Sequence, residues 1–149
     1  MATRNRVAVA IGKLFSVAKI PVGYVTASVS CRAQETAKLA FKKLDAVSRA
    51  LVYQGMIHVD GKRYKDELIR FFQKLPVKAG TNTVVAGHAS SLDYAPELFG
   101  DTAEKLKTPA LNQSGFYVLE PKGDKFAVIG QFSDIKFFAE AMTFEGIAQ

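Results

Sequence analysis

The chain has 149 residues, 48% of them hydrophobic, 11% aromatic and 23% charged, with a net charge of +6. That length suits one domain burying about 68–70% of the surface its unfolded form exposes, and the composition excludes a disordered chain, a collagen-like repeat and a coiled coil. One cysteine, Cys31, excludes a disulfide framework and a multi-cysteine zinc site; two histidines, His58 and His88, argue against a histidine-rich metal site; and the apolar runs are too short to span a membrane.

Val7, Ile11, Leu14, Phe15 and Ala18 share one helical face, which predicts a helix over 5–19. Pro21 and Gly23 stop it. Tyr24-Val25-Thr26-Ala27 reads as a short buried strand, residues 28–31 as a loop, and 32–44 as a second helix with Ala33, Ala37, Ala40, Phe41 and Leu44 on one side. Ala50-Leu51-Val52-Tyr53 fits either a helical extension or a strand, and Asp60-Gly61 a turn. A third helix is expected over 64–74, a loop over 76–82 and a strand at Thr83-Val84-Val85-Ala86 that ends at Gly87-His88. Ser90 or Ser91 is placed to cap a short helix from Leu92 towards Phe99. Residues 100–113 read as irregular. Phe116–Leu119 and Phe126–Ile129 flank Pro121-Lys122-Gly123-Asp124 as a hairpin, and Ile135, Phe138, Ala139 and Met142 outline a final helix.

Strands alternating with helices predict an α/β fold, a sheet covered on both faces. In such sheets ligands sit beyond the carboxyl ends of the strands. Two loops fall there, Ser28-Val29-Ser30-Cys31-Arg32 and Gly87-His88-Ala89-Ser90, and these carry the expected function.

The charge is uneven. Residues 1–75 hold 14 basic and 5 acidic side chains, residues 76–149 hold 6 and 9. A basic half attracts nucleic acid, an anionic lipid face or a phosphorylated substrate, although a solvated lysine-rich surface explains it more simply. Arg4, Arg6, Lys13 and Lys19 precede the first acidic residue, Glu35, a pattern shared by organelle transit peptides and by an ordinary basic first helix; the folded helix is preferred.

Several catalytic signatures are missing. Six positions after Cys31 stands Ala37, where a cysteine-phosphatase loop needs arginine, so Cys31 reads as a small structural residue. The chain has no Gly-Lys-Ser/Thr phosphate loop, no Gly-x-Gly-x-x-Gly, no Gly-x-Ser-x-Gly elbow and no aromatic-and-basic strand motif for RNA. Arg32 opens a helix directly after a strand, where its guanidinium and the helix N-terminal amides suit an anion. The plainer reading is a surface arginine. His88 stands at a strand end behind a glycine, facing that loop, and its plainer reading is structural. His58 reads as surface or packing.

Ala27-Ser28-Val29-Ser30-Cys31-Arg32-Ala33-Gln34-Glu35-Thr36-Ala37 resembles the Ser-Ser-Pro-x-x-Arg-Ala-x-x-Thr-Ala segment of the histidine phosphatase superfamily. Gly80-Thr81-Asn82-Thr83-Val84-Val85-Ala86-Gly87-His88 resembles that superfamily's second-histidine strand, and Gly115–Gly123 its closing hairpin in small bacterial members. Order and spacing agree over about residues 3–133. The resemblance implies a phosphoglycerate mutase-like three-layer sandwich with a mostly parallel sheet, in a single domain over 1–149. It implies phosphomonoester hydrolysis without a cofactor, on a phosphorylated small molecule or phosphate, with neither nucleic acid nor membrane as partner. Arg32 and Ser28 then bind phosphate, and His88 stabilises the transferring phosphoryl group, a reaction dominated by positioning and electrostatics. Both cytoplasmic and, with an upstream signal, secreted or periplasmic locations are compatible.

The departures from that pattern also carry expectations. The family's first strand ends in Arg-His-Gly, whose histidine is the nucleophile, and this chain has no Arg-His-Gly. Thr3-Arg4-Asn5-Arg6 resembles the entry to the helix after that strand, so the domain reads as N-terminally truncated relative to the family. His58 lies in the wrong segment to substitute. The first strand is central in the family's sheet, and its loss is expected to leave neighbouring strands with unpaired backbone groups at about 1–3 kcal/mol each. Ser-Ser-Pro has become Ala27-Ser28-Val29, and the acidic residues on offer as general acid are Asp93 and Glu97, with Gln113 where an acidic residue often stands. A catalytically inactive pseudophosphatase that binds a phosphate ligand or a protein is the alternative.

Overall fold

A computed structural model describes residues 2–51, 61–106, 111, 114–136 and 139. Helix α1 (Ala2–Val17) leads to strand β1 (Val22–Ser28), helix α2 (Cys31–Phe41) and strand β2 (Ala46–Ser48), which ends in a 3₁₀ turn over Arg49–Leu51. Helix α3 (Gly61–Gln73) and strand β3 (Asn82–Ala86) follow, then 3₁₀ segments over Ala89–Tyr94 and Pro96–Leu106, and strands β4 (Phe116–Lys122) and β5 (Lys125–Phe132). His58 and Gln113 lie outside the described residues, as does most of the expected final helix.

The fold is mixed α/β, with a parallel sheet in the order β2-β1-β3 flanked by helices. Side chains alternate across a strand. Val25 and Ala27 of β1 pack with Ala33 and Ala37 of α2, joined by Val84 and Ala86 of β3. Val85 turns the other way, onto Leu51, Tyr64, Leu68 and Phe72, so α2 and α3 cover opposite faces. This explains why Val25, Thr26, Ala27 and Ser28 are all buried.

The three parallel strands form one continuous ladder. β1 pairs directly with β2 on one side and β3 on the other, with one irregularity between Val22 and Tyr24. Where β2 begins, Asp45 extends its ladder: its amide donates to the Val25 carbonyl at 2.8 Å, and its carboxylate accepts the Val25 N–H at 2.8 Å. Unpaired backbone groups remain instead at the outer edge of β3, which among the described residues pairs only with β1.

Two local expectations change. The cap of the 89–94 segment is the backbone of His88, with no side-chain capping bond, rather than Ser90 or Ser91. Residues 96–106, expected to be partly irregular, form 3₁₀ turns kinked at Gly100, whose φ of 52° suits glycine. They are held by tertiary contacts: Leu98, Phe99 and Leu106 are buried with Phe72 and Val128. Thr102 fixes them to β5, its Oγ1 accepting the Val128 N–H at 3.0 Å and donating to the Phe99 carbonyl. The hairpin forms as expected, as its own two-stranded antiparallel sheet.

Candidate anion site

The two loops singled out in the sequence leave adjacent parallel strands at the same end. Ala27 pairs with Ala86, so the chain after Ser28 and the chain after Gly87 emerge side by side. The Ser28 Oγ and the His88 Nε2 lie 3.1 Å apart. The Ser28 Oγ also accepts the Ser30 N–H at 3.2 Å. The Ser28 hydroxyl has one proton to give and a second lone pair, so it pairs with either tautomer of the His88 ring.

Ser30 caps α2. Its backbone is extended and its Oγ accepts the Ala33 N–H at 3.2 Å. Cys31 and Arg32 then occupy the first turn, both exposed. A cation is disfavoured at a helix N-terminus by about 0.3–1 kcal/mol, because the unpaired amides already make that end positive. The same two features together suit an anion. Arg32 lies close enough to His88 for its charge to act on the ring. Burial of His88, the larger cause, and the Arg32 charge both hold the imidazole below its ordinary value of 6.5.

Ser28 lies beneath this site rather than on it, since it is fully buried and its hydroxyl is engaged by His88 and Ser30. Its observed contacts position His88. Glu97 is bound to Lys65 of α3, which holds its carboxyl below the usual range. Asp93 is exposed, and its charge acts on Tyr117 of the hairpin. A groove of about 350 Å³ lined by Tyr24, Ser48, Glu67, Arg70 and Lys74 lies apart from Arg32 and His88, neither of which lines it.

The capping role of Ser30 was not foreseen, although a serine directly before the first helical residue is its usual signal. Among the described residues no group of three metal-ligating side chains comes together, and no helix is long and apolar enough to cross a membrane. Compared with protein-family models, curated proteins and solved structures, the chain matches none.

Proposed function

We propose that this chain is a histidine phosphatase-type, phosphoglycerate mutase-like protein whose loops hold a phosphate ester between the Arg32 guanidinium, the His88 ring and the first amides of α2. The observation that carries the reading is the meeting of the two loops through Ser28 and His88, with Arg32 near enough to act on the same ring. A guanidinium supplies a planar fork for phosphate oxygens, and the helix end supplies directed N–H groups. Sequence order and spacing support the family reading.

Binding without turnover is the form of this function we favour. The family's nucleophile is the histidine of Arg-His-Gly, and of the two histidines in this chain neither stands in such a triplet. The strand that carries it is central in the family's sheet, and here the described sheet ends at β3.

Titration with phosphate and with vanadate, followed by amide NMR, tests the proposal. Saturable shifts centred on residues 30–33 and 87–88, lost in Arg32→Ala, are expected, together with no release of phosphate from an aryl phosphate. A folded protein that shows no such shifts would overturn it. Turnover abolished by His88→Ala would replace the binding form with the catalytic one.

A further inference from the structure

We propose that β3 is the seam of a symmetric dimer, its outer edge pairing antiparallel with the same edge of a second copy about a two-fold axis at Val84. β3 ends the sheet, and among the described residues it pairs only with β1. The Asn82 N–H donates to the Pro21 carbonyl at 2.9 Å, which sets the side that faces the rest of the sheet. In a parallel strand, successive residues turn both backbone groups to opposite edges. Asn82, Val84 and Ala86 therefore face β1, and Thr83 and Val85 present their N–H and C=O groups outwards. Exposure agrees: Thr83, Val84, Val85 and Ala86 all remain partly exposed, whereas the last four residues of β1 are buried.

Outward groups two residues apart, one on each side of Val84, are what a two-fold pair requires. Thr83 of one copy lies opposite Val85 of the other and exchanges both bonds with it. The symmetric pair does the same, giving four hydrogen bonds, and the two Val84 residues face each other as the non-bonded pair between them.

Charge selects a second copy as the occupant. From residue 79 to residue 92 the chain holds no Asp, Glu, Lys or Arg. Edge strands are ordinarily kept apart by lysine, proline or inward charge, and β3 carries none of these. A charged peptide finds no counter-charge along this edge. A copy of the strand matches it in neutrality and in bond spacing, and Thr and Val favour strand geometry.

Sedimentation equilibrium of the full chain is the test, with wild type and Thr83→Pro compared across a wide concentration range. The substitution removes an outward N–H from each copy and leaves the ladder to β1 intact. It is expected to raise the dimer dissociation constant about tenfold or more. Independently, Val84→Cys in a Cys31→Ser background should form a disulfide-linked dimer on oxidation, because non-bonded antiparallel pairs have Cα atoms about 4.5 Å apart, within disulfide range. Val9→Cys in the same background, exposed on α1, should not. A folded chain that stays monomeric throughout overturns the proposal. So does a dimer that keeps its affinity in Thr83→Pro or does not cross-link through Val84→Cys, which would assign the interface elsewhere, the hairpin included. If Thr83→Pro does not fold, the cross-link decides.

Discussion

Ser28 and His88, sixty positions apart in the chain, meet at 3.1 Å between Oγ and Nε2, and this contact joins the two loops at the carboxyl end of the sheet. Ser28→Ala removes it and also takes the acceptor from the Ser30 N–H. A part-buried donor left without a partner costs about 1–3 kcal/mol. Urea unfolding should show a loss in that range, and weaker phosphate binding should accompany it, because the ring is no longer held. Unchanged stability would mean that water replaces the hydroxyl.

His88 also gives a pH dependence. Burial and then Arg32 hold His88 below 6.5, so the folded protein takes up this proton less readily than the unfolded chain. The contribution of His88 to stability is therefore complete above about pH 6.5 and diminishes as pH falls below it, levelling once the folded ring is protonated. Urea midpoints measured from neutral to mildly acidic pH should fall for wild type and fall less for His88→Gln. Sulfate stays a dianion over this range, and its affinity should rise on acidification as the ring gains charge.

Arg32 sits where a helix least favours a cation, and this separates stability from binding. Arg32→Ala should leave the unliganded protein equally stable or up to about 1 kcal/mol more stable, by relief of the unfavourable dipole interaction. Phosphate binding should be lost in the same variant. Paired measurements of urea midpoint and phosphate-induced shift check both; a variant that loses stability and binding together points to a packing role for the arginine.

Much of this arrangement was legible because it follows from periodicity and topology. α1, β1, α2, α3, β3 and the hairpin each announce themselves by apolar spacing or turn residues, and the strand-end rule then locates the two loops. What escaped is set by tertiary contact. β2 has three residues, too few to show a period, and depends on Asp45 to extend its ladder. The 96–106 segment buries the neighbours Leu98 and Phe99 against Phe72 and Val128, a spacing that no helical pattern reveals. The family resemblance implies a phosphate-binding Ser28. It is covered because the central strand is packed from both faces.

That double covering has a cost at Thr26. Among the described residues its Oγ1 is buried without a hydrogen-bond partner, between neighbours Ala46 and Val85. Valine has nearly the same shape and no hydroxyl to leave unpaired. Thr26→Val should therefore stabilise the protein by about 1 kcal/mol, against the usual direction for core substitutions. Chemical denaturation of the two proteins decides it, and a loss of stability would show that the hydroxyl has a partner in solution.

Gly12 sets two effects of opposite sign against each other. In an isolated helix, alanine at this position would be better by about 1 kcal/mol. Here α1 crosses α2 closely enough that a Cβ on Gly12 would stand 1.9 Å from the Ala40 carbonyl oxygen. That oxygen belongs to the backbone of a packed helix, and it cannot move aside as a side chain could. Overpacking of this kind costs about 1–3 kcal/mol. The contact should outweigh the propensity, leaving Gly12→Ala less stable by up to about 2 kcal/mol in urea unfolding. A variant more stable than wild type would mean that α1 does not lie against Ala40, since only a released helix would show the propensity gain undiminished.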